Sequence, residues 1–286
     1  MDQAEFDRKY PRRRCAFKGG AEFWYRYAKN AGSDKTIVLL VGTVGISDVF
    51  AEHFDLLARS FSVLTFDYPM ELKTCKDLVN GIAMLLNVLG IKKAWLCGQS
   101  LGGFLAQIMA HRHPLYVDGL ILSNTASLNE DMDPKAREYL LSMAAKQRTN
   151  RALVGLLPMD LVKKKMFSIA KSVADGYTEE QRMRSEKISS VMYTQLDREY
   201  LKHMLGLLTD LPSYRGMRSR DFEFIKGRVL LLLSPDDTMF SAPCAQSLID
   251  LMPQPEVDRS FSGGHMAIFL DPKRYAEKVT EFISSR

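Results

Sequence analysis

Five short apolar runs, at residues 36–41, 62–66, 93–97, 118–122 and 228–233, alternate with segments whose apolar residues recur at helical spacing. The runs are continuous rather than alternating in polarity, which marks strands buried on both faces. Buried strands joined by helices imply a mostly parallel sheet with helices on both faces. The spacing predicts helices over 49–59, where Phe50, Phe54 and Leu57 share a face, over 72–89, ended by Gly90, and over 101–112, ended before Pro114. A hairpin over 14–17 and 22–27 turns at Gly19-Gly20. Beyond the fifth run come a helix over 242–251, a short strand over 256–261, and a last helix that opens on Asp271-Pro272, a good N-cap and first position, and runs to Ile283.

Between about 126 and 226 the alternation stops, and the chain is helix-forming and rich in Lys, Arg, Met and Leu. A block of that kind between two strands of one sheet reads as an insertion rather than an independent domain. The expected organisation is a core of 1–125 and 227–286 with a helical cap over 126–226. In an open parallel sheet ligands bind beyond the carboxyl ends of the strands. An insertion after the fourth run would roof that place.

Composition closes off other classes. At 46% hydrophobic and 26% charged over 286 residues, the chain is neither disordered, collagen-like nor a coiled coil. No apolar run approaches the ~20 residues of a membrane span, so no integral membrane contact is expected. The charged start, MDQAEFDRKYPRRR, has no apolar stretch of the kind a secretory signal needs. Cys15, Cys75, Cys97 and Cys244 are widely spaced and form no CxxC pair, so they read as free thiols of a reducing compartment, with a cytoplasmic location expected. The net charge of +5 is interspersed, with basic runs only at 12–14 and 163–165, and no nucleic-acid partner is expected. Neither a metal-ligand cluster nor a phosphate loop is present, so no metal and no cofactor are expected.

The third run leads directly into Gly98-Gln99-Ser100-Leu101-Gly102 and then a helix. A serine lifted onto so sharp a strand-to-helix turn takes strained backbone angles, and strand and helix crowd the positions two before and two after it. Only small residues fit there. The hydroxyl is left exposed at a helix N-terminus, where the dipole and free N–H groups favour an oxyanion. Serine needs a base to attack at neutral pH. His53, His111, His113 and His203 read as surface or helix-terminus residues. His265 stands apart, in Ser262-Gly263-Gly264-His265, where two glycines free the backbone to swing an imidazole over the strand ends. The base needs an orienting carboxylate. The fifth run ends in Ser234-Pro235-Asp236-Asp237, and either aspartate could serve, the other making turn or cap bonds. The chain order Ser, acid, His is then satisfied. Cys97, on the strand itself, reads as a buried small hydrophobe.

These residues resemble the α/β-hydrolase superfamily over nearly the whole chain. Residues 98–102 are similar to its nucleophile elbow, Gly264-His265 to its Gly-His before the final helix, Asp271-Pro272 to its usual continuation, and the insertion to its lid. Ser234-Pro235-Asp236-Asp237 matches the family's Gly-x-x-Asp turn with Ser for Gly, which favours Asp237. The resemblance implies an α/β-hydrolase fold and an oxyanion hole made by the backbone N–H groups of Leu101 and Thr43. Where the family usually has His-Gly before that second donor, this chain has Val41-Gly42. One branch is closer: Ser47-Asp48-Val49-Phe50, Tyr68-Pro69 and the run from Gly98 to Gln107 are similar to maspardin, a binding member of the superfamily. That branch lacks the histidine of the Gly-Gly loop, whereas this chain keeps His265. The family's Asp-x-x-Gly-x-Gly-x-Ser loop is replaced here by Asp67-Tyr68-Pro69.

The expectation is therefore a serine hydrolase that cleaves a small-molecule acyl compound, a carboxylic ester first, with Ser100, His265 and Asp237 as its triad. A non-catalytic maspardin-like binding role, or cleavage of lactone, amide or carbon–carbon bonds by the same triad, stands as the alternative.

Overall fold

The structure, a computed structural model, describes residues 1–173 and 176–286. Eight strands form one sheet: β1 (Arg13–Ala16), β2 (Glu22–Ala28), β3 (Thr36–Leu40), β4 (Ser62–Phe66), β5 (Ala94–Gln99), β6 (Val117–Ser123), β7 (Val229–Leu232) and β8 (Glu256–Asp258), in the order β1-β2-β4-β3-β5-β6-β7-β8. The β1–β2 and β2–β4 pairings are antiparallel and the rest parallel. Every position of β3, β4 and β5 is buried, which requires cover on both faces. The helices are α1 (Gln3–Lys9), α2 (Ala51–Leu57), α3 (Cys75–Val88), α4 (Leu101–Arg112), α5 (Pro134–Leu156), α6 (Met159–Val173), α7 (Glu179–Gln195), α8 (Arg198–Asp210), α9 (Ala242–Leu251), α10 (Ala267–Leu270) and α11 (Pro272–Ser284). Among them α2 packs on α11 and α3 on α4. No helix among the described residues is long and apolar enough to cross a membrane.

Helices α5 to α8 lie between β6 and β7 in the chain, the stretch in which the sequence lacks strand runs. α5 packs along α8 and touches α9, and α7 meets α10. The segment that leads from β6 to these helices is tied to α4 where it leaves the sheet. Gln107, fully buried on α4, donates to the Ala126 carbonyl at 2.8 Å and accepts from the Leu128 N–H at 3.2 Å.

Several elements differ from the sequence expectation. The helix expected over 72–89 starts at Cys75, because the Thr74 hydroxyl caps it by accepting from the Asp77 N–H. The helix over 49–59 is a 3-10 turn (Ser47–Phe50) followed by α2. β8 stops at Asp258 rather than 261: its carboxylate accepts from the Ser260 N–H at 2.7 Å, and that turn takes the chain out of the ladder. The N-terminal helix α1 was not anticipated. Its single buried side chain is Phe6, over which the Arg26 guanidinium lies at 4.4 Å.

Arg26 itself is 1% exposed and bonds Asp48, which also takes Arg12, while Arg12 reaches Asp67 at the end of β4. Burial opposes ionisation of Asp48, and Arg12, Gln195 and Arg26 overcome it, holding its pKa below the usual carboxylate range. Asp67 in turn accepts from the N–H and hydroxyl of Ser47. The network fixes the segment after β3 against the segment after β4, both at the sheet edge where a ligand would bind.

His53 and His203 are buried rather than at the surface. His53 sits among Phe50, Phe269 and Tyr275, its Nε2 2.9 Å from the Ile268 carbonyl and its Nδ1 buried without a partner among the described residues. Burial pushes its pKa down to about 4, against the pull of the Ile268 carbonyl. An unfolded histidine titrates near 6.5, so between those values the unfolded state binds more protons and stability falls as pH falls. The contribution is full above ~6.5, and by pH 5 about 2 kcal/mol of it is gone. Denaturant unfolding at pH 7 and pH 5 should show that loss, and His53→Gln should shrink the difference by a similar amount; an unchanged difference would refute the assignment.

Candidate active site

β5 delivers Gln99 and Ser100 to the carboxyl edge of the sheet, and α4 begins at the next residue. Ser100 adopts φ 53° and ψ −119°, one of three non-glycine residues with positive φ among those described. Its N–H donates to the Ser123 carbonyl at 3.1 Å, and its carbonyl accepts from the Thr125 hydroxyl at 2.8 Å, so the end of β6 and the segment just past it hold the turn from both sides. A Cβ at Gly98 would strike the Gly102 carbonyl, and one at Gly102 would strike the Leu40 carbonyl, whose carbon it would approach to 2.5 Å. Those partners are backbone of α4 and β3 and cannot swing away. Gly102→Ala is therefore expected to cost about 3 kcal/mol, the upper part of the usual range for overpacking, and to lower the unfolding temperature by roughly 6–12 °C. A thermal melt within 1–2 °C of the parent would contradict this packing.

His265 lies in a single 3-10 turn (Gly264–Met266) between β8 and α10, entered through Gly263 at φ 117°. Its Nδ1 is 3.0 Å from Asp237 Oδ2, and the Asp237 side chain is only 4% exposed. The other oxygen of Asp237 accepts from the N–H of Met239 at 2.8 Å and of Phe240 at 3.4 Å. An ionised carboxylate only accepts, so the aspartate faces Nδ1–H and leaves Nε2 as the free lone pair. The Phe240 ring stands 5.5 Å from the imidazole and also meets Phe104 and Tyr139.

Asp236 is spent differently. It accepts from the Ser234 hydroxyl at 2.5 Å and from the Gly263 N–H at 2.9 Å. Burial opposes its ionisation, but these bonds and the Gly264 N–H hold its pKa below the usual range. Of the two aspartates that the sequence leaves open, one touches the histidine and the other the loop that carries it.

The histidine loop is bound to the elbow through its main chain. Gln99 Nε2 donates to the His265 carbonyl at 3.2 Å. Asn124, just past β6, donates to the Gly264 carbonyl at 2.8 Å and accepts from the Ser234 N–H at 2.9 Å. This buried residue, held at φ 41°, clamps the aspartate loop to the histidine loop. On the sequence Asn124 counts only as a non-ionisable residue in a position where an acid could have stood; the signal for its role is structural. Tyr177, from the insertion, donates to the Gly263 carbonyl at 2.9 Å. Asp237 and His265 are joined, whereas Ser100 Oγ makes no hydrogen bond among the described residues.

Leu101 is the first residue of α4, and its N–H has no intrahelical acceptor. Thr43 sits in the turn closed by the Gly45 N–H on the Gly42 carbonyl at 3.0 Å. That turn lies directly against the elbow: a Cβ at Gly42 would come within 3.3 Å of Ser100 Cβ. Val41 is wholly buried, and its carbonyl accepts from the Tyr68 hydroxyl at 2.7 Å. Tyr200 of α8 donates to the Gly45 carbonyl at 2.7 Å and accepts from the Tyr68 N–H at 3.2 Å. Burial pushes the phenols of Tyr68 and Tyr200 far up, so both remain donors. Two tyrosines thus hold the turn that carries Thr43. Cys97 is fully buried, and burial raises its pKa to about 12, with no reactive thiolate at neutral pH.

Residues 35–272 match the family described as the alpha/beta hydrolase fold. The chain belongs to that family. Among curated relatives, the protein named "Putative carbamate hydrolase RutD" of Yersinia enterocolitica is 21% identical over 254 residues, covering 83% of each chain. Among solved structures, a hydrolase from Pseudomonas aeruginosa PA01 superposes with a TM-score of 0.73 at 19% identity, covering 96% of this chain and 98% of that one. The enol-lactonase from Burkholderia xenovorans LB400 gives 0.70 at 20%, covering 95% and 100%. Membership carries the hydrolase assignment at the level of the family. As an α/β hydrolase the chain departs from the usual His-Gly at Val41-Gly42, and Tyr68 supplies the hold on that strand end.

Proposed function

We propose that the protein is a serine hydrolase that cleaves a small-molecule carboxylic ester or related acyl compound. The observation that carries the reading is the Asp237–His265 contact at 3.0 Å on a loop whose carbonyl is tied to Gln99, the residue before Ser100. Asp237 keeps the imidazole proton on Nδ1. Nε2 of His265 takes the Ser100 proton as Oγ attacks the substrate carbonyl. The N–H groups of Leu101 and Thr43 receive the oxyanion, each worth ~3 kcal/mol in the transition state. His265 returns its proton to the leaving alcohol, and the acyl-enzyme is cleaved by a water that His265 deprotonates. No step calls for a metal or a cofactor. Helices α5 to α8 act as a lid in this reading, since Tyr177 and Tyr200 reach from the insertion to the histidine loop and the Thr43 turn. Four free thiols support a reducing, cytoplasmic location.

A second reading rests on one observation, the absence of a hydrogen bond from Ser100 Oγ to His265. A maspardin-like binding protein would keep the elbow as scaffold and never form that bond, whereas in a hydrolase it tightens once substrate is present. A fluorophosphonate probe separates the two. The hydrolase reading requires a covalent adduct mapped to Ser100, lost in His265→Ala, followed by turnover on a panel of esters, lactones and carbamates. The last two are included because relatives bear those names. A folded protein that takes no label favours the binding role.

A further inference from the structure

A polar cleft of about 370 Å³, with none of Ser100, Asp237 and His265 in its lining, lies between the segment before α3, helix α5 and helix α8, lined by Lys73, Arg151, Glu199, Lys202, His203, Gly206, Thr209 and Asp210. Its acids are already engaged. Both Glu199 oxygens lie 3.0 Å from Lys202 Nζ. Asp210 accepts from the Cys75 N–H and the Tyr214 hydroxyl, both at 2.8 Å, and so serves the start of α3. Two cations are left, Lys73 and Arg151, neither within ion-pair distance of a carboxylate among the described residues. The Arg151 guanidinium lies along the bare side of α8 at Gly206, 3.6 Å from where a Cβ would stand.

Both cations line the cleft together with His203. This residue is 6% exposed, and its Nε2 is buried with no hydrogen-bond partner among the described residues. Burial first, and Lys73 and Arg151 after it, push its pKa down to about 4, so the ring is neutral at pH 7. Lys73, Arg151 and Lys202 outnumber Glu199 and Asp210 in the lining, so the cleft keeps a net charge of +1 beside a neutral buried imidazole, which favours an anion. The guanidinium fork matches a tetrahedral or planar oxyanion in bidentate fashion, and the lysine adds a point charge.

We propose that this cleft binds a small phosphate-type oxyanion, held by Lys73 and Arg151 against the side of α8 at His203 and Gly206. The inference does not depend on the hydrolase reading. The volume exceeds that of the ion alone, so the anion can be free phosphate or the phosphate of a small organic ester.

The test is calorimetric titration of the full chain at low ionic strength with inorganic phosphate and, separately, with glycerol 3-phosphate. Saturable binding of phosphate is expected, weakened roughly tenfold by Lys73→Ala and by Arg151→Ala. Arg151→Lys, which keeps the charge and loses the fork, should fall between. Lys92→Ala, an exposed lysine before β5, should bind as the parent does. Both cations are exposed, so the variants should melt as the parent does and a loss of binding reports the site. Tighter binding of glycerol 3-phosphate than of phosphate identifies an organic phosphate as the occupant, and equal or weaker binding identifies the free anion. No binding by the parent up to about 10 mM, or equal binding by Lys73→Ala and Arg151→Ala, overturns the proposal.

Discussion

Ser100→Ala is expected to lower kcat for an ester that the parent turns over by about 10⁵–10⁶-fold, with little change in stability. Alanine keeps the Cβ and the strained backbone of the elbow, and among the described residues Ser100 Oγ makes no hydrogen bond whose loss would cost folding energy. The packing that enforces the turn belongs to Gly98 and Gly102, not to the hydroxyl. Loss of turnover with an unchanged melting temperature would isolate the chemistry of one oxygen atom. His265→Ala should fall nearly as far, and the double variant hardly further, because nucleophile and base act as one unit and their losses do not add. Steady-state kinetics of the three variants, with thermal melts beside them, decide it. Retention of even a tenth of the parent rate by Ser100→Ala would remove the nucleophile from the proposal. Substrate binding is a separate matter: a binding protein would hold its ligand equally well with either residue at position 100.

Much of the fold is legible in the sequence because its signals are local. A continuous apolar run predicts β4 over Ser62–Phe66 to the residue, and the elbow glycines announce a strand-to-helix turn whose helix is Leu101–Arg112. What is not legible depends on partners far away in the chain. The helix α1 has seven residues and one buried side chain, and it is held by Arg26, which also bonds Asp48 and the Tyr10 carbonyl. The burial of His53 follows from how α2 meets α11 and the preceding α10, which bring Tyr275 and Phe269 around a ring that looks unremarkable in its own helix. Asn124 has no local signal either, since both of its side-chain bonds cross more than a hundred residues. The candidate nucleophile and base stand in glycine-marked turns and can be singled out from sequence. The supports that hold them in place cannot.

The two adjacent aspartates give the sharpest test of the acid. Asp237→Asn is expected to lower kcat by about 10⁴-fold while leaving the fold intact. The amide is nearly the same size, and its oxygen can still accept from the Met239 and Phe240 N–H groups. Its nitrogen would then face His265 Nδ1 as a donor, forcing the imidazole proton to Nε2, where the ring can no longer accept the Ser100 proton. The loss should be partly relieved at high pH, where hydroxide takes the place of the missing base. Asp236→Asn removes the same charge one residue earlier with a different expected result. It weakens the bonds from Ser234 and Gly263 that brace the histidine loop, so activity should drop by no more than about tenfold and stability by about 1 kcal/mol. The loop would still be held by Asn124 and Gln99. Rate profiles of the two variants across pH measure the contrast. The reverse ranking, with Asp236→Asn near dead and Asp237→Asn active, would mean that Asp237 merely caps its own turn and that the histidine draws its orientation from the loop below it.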